Sequence, residues 1–128
     1  MDYKIVIPSY DRLVQLQGRT LSLLSRHNVD FNKVYIFAHP WCYEEYYDLK
    51  DKYPQIHIVE SKGGIMNSRN YINEYFSAGT KIVEIDDDVE DLLDLKNDCS
   101  LKNLEEFITE SFEMCGYLSF MVYGVYVP

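Results

Sequence analysis

Lys81-Ile82-Val83-Glu84-Ile85-Asp86-Asp87-Asp88 is the stretch from which the fold can be read. Gly79-Thr80 supplies a turn ahead of it, and Lys81 to Ile85 is β-branched and apolar enough for a short buried strand. The strand delivers three consecutive carboxylates at its C-terminal end. At about 5 Å and an effective dielectric of about 20, each like-charged pair costs on the order of 3 kcal/mol. Water or a cation must share that charge, and hard divalent ions such as Mg²⁺ or Mn²⁺ take oxygen ligands. A solvated acidic turn leading into a helix N-terminus is the plainer account, since negative charge is favourable there. Leu92, Leu93 and Leu95 predict such a helix over residues 89–95.

Upstream, the same kind of apolar run recurs three times. Lys4-Ile5-Val6-Ile7 reads as a strand buried on both faces and ended by Pro8-Ser9-Tyr10. Val34-Tyr35-Ile36-Phe37-Ala38, broken by His39-Pro40, and Ile56-His57-Ile58-Val59 are the next two. Between them, residues 11–27 suit an amphipathic helix with Gly18 as its weak point and Asn28 as its stop. Residues 41–53 read as a second helix closed by Pro54, and residues 65–78 as a third after the Lys62-Gly63-Gly64 loop.

Strand and helix thus alternate, which predicts an α/β fold: a doubly wound, mostly parallel sheet with helices on both faces. Right-handed crossovers favour a central first strand, with the second on one side and the fourth on the other. The crevice between the C-terminal ends of strands one and four is then the natural ligand site. Pro8-Ser9-Tyr10 and Asp86-Asp87-Asp88 are expected to line it together.

The last part of the chain differs. Leu101, Leu104, Phe107, Ile108 and Phe112 recur at helical spacing over residues 101–114, and residues 118–127 form a long, almost wholly apolar strand pattern. A strand this apolar requires cover on both faces, so it is expected inside the sheet or in a contact with a second copy. At 128 residues the chain suits one domain: a core over residues 1–95, then a helix and an apolar strand over 101–128.

The net charge of −9 excludes a protein that grips nucleic-acid backbones by general electrostatics. Much of that charge is local, with Glu84, Asp86, Asp87, Asp88, Glu90, Asp91, Asp94 and Asp98 in one short region. Cys42, Cys99 and Cys115 show neither CxxC nor zinc-type spacing with histidine, as expected for free thiols in a reducing compartment. No leader pattern precedes Lys4, and no apolar run reaches the roughly 18 residues of a membrane span. The expected setting is cytoplasmic, the host cytoplasm if the protein is viral.

Three motifs in order resemble the nucleotide-binding half of a GT-A type glycosyltransferase. Residues Ile5-Val6-Ile7-Pro8-Ser9-Tyr10-Asp11-Arg12 resemble the opening strand and loop of family-two-like sugar transferases. Gly63-Gly64 with Ser68-Arg69-Asn70 resembles their glycine loop and arginine–asparagine helix, and Ile85-Asp86-Asp87-Asp88 their DxD strand. The run from Lys62 to Val83 and the strand Val34-Tyr35-Ile36-Phe37 are most similar to the phage and viral TET-associated glycosyltransferases. The resemblance covers most of residues 4 to 95.

It implies a nucleotide-diphosphate sugar donor and Mn²⁺ or Mg²⁺, with Asp88 as direct metal ligand and Asp86 beside it. It places Asp86 or Asp87 near the ribose or the metal-bound waters, Tyr10 against the base, and Arg69 on the base or ribose. Pro8, Ser9, Arg12 and Gly64 complete the implied donor site. Where many family-two enzymes carry a base-reading aspartate after the second strand, this chain has His39-Pro40. No residue stands out as the catalytic base, and in resembling proteins that base lies beyond this point, so the chain matches the donor-binding half. The sugar, nucleotide and acceptor stay open. A nucleotidyltransferase would show a longer glycine-rich basic loop after strand one, and Pro8-Ser9-Tyr10-Asp11-Arg12 has no glycine. A non-catalytic nucleotide- and metal-binding or assembly domain is the alternative from another class.

Overall fold

The computed structural model describes residues 2–94 and 96–115. Four strands, β1 (Lys4–Ser9), β2 (Val34–Ala38), β3 (His57–Glu60) and β4 (Ile82–Glu84), form one sheet in the order β3-β2-β1-β4. Every pairing in it is parallel. β1 therefore lies between β2 and β4, as the alternation of elements predicts.

Helix α1 (residues 13–26) has a wide, π-type middle turn over Leu16–Leu21 that contains Gly18. It ends in a Schellman motif: Asn28 is left-handed (φ 55°), its N–H reaches Ser25 O, and the Val29 N–H reaches Leu24 O. Helix α2 (residues 43–52) starts as a 3₁₀ segment and widens into an α-turn before Tyr53 and Pro54. Helix α3 (Ile65–Tyr75) follows Gly64, whose φ of 89° suits glycine.

The helices occupy both faces. Ile5, Ile7, Val34, Ile36 and Ala38 join Leu16, Leu21, Leu24, Tyr46 and Leu49 in the main core under α1 and α2. On the opposite face Val6, Phe37 and Val59 meet Ile72 of α3, with Tyr35, Tyr71 and Phe76 around them. Successive residues of β1 thus serve opposite cores, which is why Ile5, Val6 and Ile7 are all fully buried.

β1 runs two residues past the expected stop and includes Pro8. Lys4 N–H donates to Lys81 O and Val6 O accepts from Ile85 N–H, so the even-numbered peptides of β1 face β4. Pro8 is the next even position and has no N–H to give. Pairing with β4 stops at Val6–Glu84, while pairing with β2 continues to Ser9–Ala38. The proline therefore parts β1 from β4 at their C-terminal ends.

The expected helix over 89–95 is not formed. Leu93–Asp94 and Cys99–Ser100 make instead a small antiparallel pair, β5 and β6. Asp91 Oδ1 accepts from Leu92 N–H, the amide such a helix would bond internally, while Leu92 O accepts from Leu101 N–H across the β5–β6 pair and Val89 N–H donates to Thr20 Oγ1 on α1. Helix α4 (Leu104–Cys115) starts three residues later than its periodicity suggests, because Asn103 caps it through Glu106 N–H at 3.0 Å. Leu104 and Ile108 dock it onto the main core. The apolar 118–127 segment lies outside the described residues. Among those described, no helix is long and apolar enough to cross a membrane.

His27 fastens α4 to α1, its Nδ1 accepting from Leu104 N–H at 3.1 Å. Only an unprotonated Nδ1 can accept. Burial and the neighbouring Arg26 hold the His27 pKa below its usual 6.5, against a weaker upward pull from Asp91. This contribution is present in full above the unfolded-state pKa and is lost as pH falls through the lower folded value. His27→Ala is expected to cost about 0.5–2 kcal/mol at pH 7.5, the range for a lost cap. It should also flatten the acid limb of a stability-versus-pH curve measured by urea denaturation. An unchanged acid limb would show that His27 does not fasten α4.

Candidate functional site

The three aspartates leave β4 in the phase the strand sets. Val83 and Ile85 point to the main core, and Asp87, next in that series, is turned inward and only 8% exposed. Asp86 and Asp88 project to solvent. One carboxylate is therefore buried in the fold and two are exposed.

Asp87 joins the parted ends of β1 and β4. Its Oδ2 accepts from Ser9 Oγ at 2.8 Å, and Ser9 Oγ shares a second hydrogen bond with the Tyr46 hydroxyl at 2.7 Å. That same Tyr46 oxygen accepts from Arg12 N–H at 3.1 Å. The Arg12 guanidinium lies over the acids, with Nε 3.2 Å from Asp87 Oδ1 and Nη2 3.2 Å from Asp88 Oδ2. The Nε is buried and its N–H is not aligned on any acceptor, so its link to Asp87 is coulombic. Burial pushes the Asp87 pKa up, opposed by the Ser9 hydrogen bond and Arg12 and reinforced by Asp88 and Asp86. Burial likewise raises the Tyr46 phenol.

Thr20 holds the acidic turn from below. It is fully buried on the wide turn of α1; its Oγ1 donates to Asp86 O at 2.6 Å and accepts from Val89 N–H at 3.0 Å. Neither Thr20 nor Tyr46 is prominent in the sequence. The signal for Thr20 is a lone hydroxyl on an otherwise leucine-lined stripe, four residues from both Leu16 and Leu24. Tyr46 falls in the series Cys42, Tyr46, Leu49, Tyr53, all buried.

A second group gathers at the ends of β1 and β2. The Tyr10 ring meets His39 edge-on at 4.1 Å, and His39 Nδ1 accepts from Trp41 N–H at 3.2 Å. A side chain at Gly63 would begin 3.7 Å from His39 Nε2, so the glycine loop ahead of α3 lies against the imidazole. The structure thus brings Ser9, Arg12, Asp87 and Asp88 into one network and sets Tyr10, His39 and the Gly63-Gly64 loop beside one another. Arg69 stands apart: its Nη1 is 2.7 Å from Glu84 Oε1, an ion pair between α3 and β4 with the arginine half-exposed.

Among the described residues no group of three or more His, Cys, Asp or Glu side chains is gathered to hold a metal ion. Asp86 and Asp88 do fit the other style of Mg²⁺ or Mn²⁺ site, in which one or two carboxylates share the ion with substrate phosphates. A cleft of about 580 Å³ lies elsewhere, between the end of α1 and the β5–β6 pair, where Arg26, His27, Asp91 and Ser100 help to line it. Its polar groups already serve one another: Arg26 binds Glu90 O and Ser100 binds Asp91. It is a seam between elements, and none of the nominated site residues lines it. No protein-family model, curated protein or solved structure matches this chain.

Proposed function

We propose that this chain is a GT-A type glycosyltransferase, or the donor-binding half of one, that takes a nucleotide-diphosphate sugar together with Mn²⁺ or Mg²⁺. The supporting observation is the phase of the acidic triplet: Asp87 is consumed in joining β1 to β4, which leaves Asp86 and Asp88 exposed at the switch point of the parallel sheet. Asp88 and Asp86 would hold the ion, which when bound neutralises charge on the leaving diphosphate. Arg12, already resting on Asp88, is within reach of the same anion. Pro8 opens the gap, Ser9 fixes it, Tyr10 and His39 lie on the side where a base would rest, and Gly64, at a φ of 89°, turns the loop that sets Gly63 against His39. Arg69 reaches ribose or base only by giving up Glu84.

Calorimetric titration with uridine, guanosine, adenosine and cytidine diphosphates, with and without Mn²⁺, tests this. At least one diphosphate should bind at least tenfold more tightly with the ion. Equal affinity in both conditions, or no binding, would remove the reading. With that diphosphate, Arg69→Ala should cost affinity while changing stability by no more than about 1 kcal/mol.

A second reading, donor binding without transfer, rests on the remaining carboxylates. Glu90 pairs with Arg19, Asp91 accepts from Ser100, and Asp94 accepts from Asn97. The hydrogen bonds from Ser100 and Asn97 hold Asp91 and Asp94 below their usual pKa, the wrong direction for a general base. Binding of the diphosphate sugar without its turnover would select this reading.

A further inference from the structure

Residues 86–89 form the turn that carries the acidic triplet, with Asp87 and Asp88 at its centre. One oxygen beneath it holds both ends: Thr20 Oγ1 donates to Asp86 O at 2.6 Å and accepts from Val89 N–H at 3.0 Å. A threonine hydroxyl has a single hydrogen to give, and here it goes to this turn. In the middle of a helix that hydrogen ordinarily returns to a carbonyl of the preceding helical turn. Thr20 instead sends it out of α1, from the wide, π-type turn of that helix. Such wide turns recur at functional sites.

Thr20 is fully buried and Val89 nearly so, which leaves the hydroxyl as the group that satisfies both backbone atoms. The Ser9–Asp87 hydrogen bond fixes the same turn from the β1 side. The backbone at Asp86 and just past Asp88 is therefore held from within, while the two flanking carboxylates project to solvent.

We propose that Thr20 is a positioning residue for the ion: by spanning the turn it fixes the Asp86 and Asp88 carboxylates relative to one another and makes the pair selective for Mg²⁺ over Ca²⁺. This rests on the metal-dependent function proposed above. Mg²⁺ demands near-ideal octahedral geometry from its ligands, whereas Ca²⁺ accepts more oxygens in flexible arrangements. A turn pinned at both ends suits the first ion, and a turn free to relax suits the second. Groups that orient a metal ligand from behind are worth about 10- to 100-fold in metal affinity.

Valine has the shape of threonine with neither donor nor acceptor, and serine keeps the hydroxyl without the methyl. The two substitutions therefore separate positioning from packing. Thr20→Val and Thr20→Ser should both lower the thermal midpoint, since each disturbs a fully buried site. The test is calorimetric titration of the full chain and both variants, well below the lowest midpoint. The titrants are preformed Mg²⁺ or Ca²⁺ complexes of adenosine, cytidine, guanosine and uridine diphosphates. The parent should bind one Mg²⁺ complex roughly tenfold or more tighter than its Ca²⁺ counterpart. Thr20→Val should lose about 10- to 100-fold for the Mg²⁺ complex and less than about threefold for the Ca²⁺ complex, which removes the preference. Thr20→Ser should keep the parent's preference in spite of its lower midpoint. If Thr20→Val does not fold, Thr20→Ala set against Thr20→Ser gives the same contrast of no hydroxyl against one.

A folded Thr20→Val that keeps the parent's ion preference would overturn the proposal and leave Thr20 as a buried hydrogen bond, with the metal-dependent function intact. A parent that binds both complexes alike would do the same. So would a Thr20→Ser that loses the preference as fully as valine, because the methyl rather than the hydroxyl would then matter. A parent that binds no Mg²⁺ complex at all would remove the function itself, and the proposal with it.

Discussion

Asp87→Ala is expected to destabilise the domain by about 2–3 kcal/mol, whereas Asp86→Ala and Asp88→Ala should each change stability by less than about 1 kcal/mol. The three residues are chemically identical and adjacent, so composition cannot separate them; their surroundings do. Removing the Asp87 carboxylate leaves Ser9 Oγ with one partner fewer in a buried position and takes away the counter-charge beside the Arg12 Nε. Unpaired buried polar groups cost about 1–3 kcal/mol each. The arginine side chain is 42% exposed, so its share is discounted for solvent screening. At Asp88 the lost contact is an exposed pair with Arg12, and at either flanking site the loss also relieves repulsion within the triplet. Asp87→Asn keeps an acceptor for Ser9 and should fall between the extremes. Urea denaturation of the four variants is the measurement. An Asp88→Ala loss as large as that of Asp87→Ala would sink the division of roles.

That division was within reach of the sequence, though three identical letters hide it. Side chains alternate along a strand, and Val83 of β4 and Ile85 just beyond it are the inward residues. Extending the alternation two more positions puts Asp87 inside and its neighbours out. The four strands and their order were legible for a similar reason: compact β-branched runs separated by helical periods leave few topologies. The stretch after Asp88 was misread because leucine spacing alone says nothing about competing backbone partners. Asp91 takes the Leu92 N–H that an 89–95 helix would have used, and Thr20 and Leu101 tie the stretch to α1 and to the β5–β6 pair instead. Thr20 and Tyr46 stayed hidden because each sits on an apolar helical stripe, and a hydroxyl there shows its purpose only when the far strand end arrives beside it. Arg69 illustrates the opposite limit: its identity suggests a ligand contact, but only geometry reveals that Glu84 already claims it.

Adding Mg²⁺ and a nucleoside diphosphate together, each at a concentration that places the complex about a hundredfold above its dissociation constant, should raise the thermal midpoint by about 10 °C. A ligand that binds only the folded state stabilises it by RT ln(1 + [L]/Kd), about 2.7 kcal/mol at that saturation. For a chain of 128 residues each kcal/mol moves the midpoint by roughly 3–5 °C. The ion alone should shift it far less. Asp86 and Asp88 offer only carboxylates on an exposed turn, and Arg12 already shields Asp88; the phosphates must supply the remaining oxygens. Asp88→Ala is the decisive variant, because its ligand-free stability should match the parent while its ligand-linked shift nearly disappears. Asp87→Ala should behave in reverse, starting from a lower midpoint and keeping most of its shift if the fold survives at the temperature used. A parent-sized shift in Asp88→Ala would take the ion away from the triplet and leave the exposed acids as a solvated turn, whose charge is balanced by Arg12 and water.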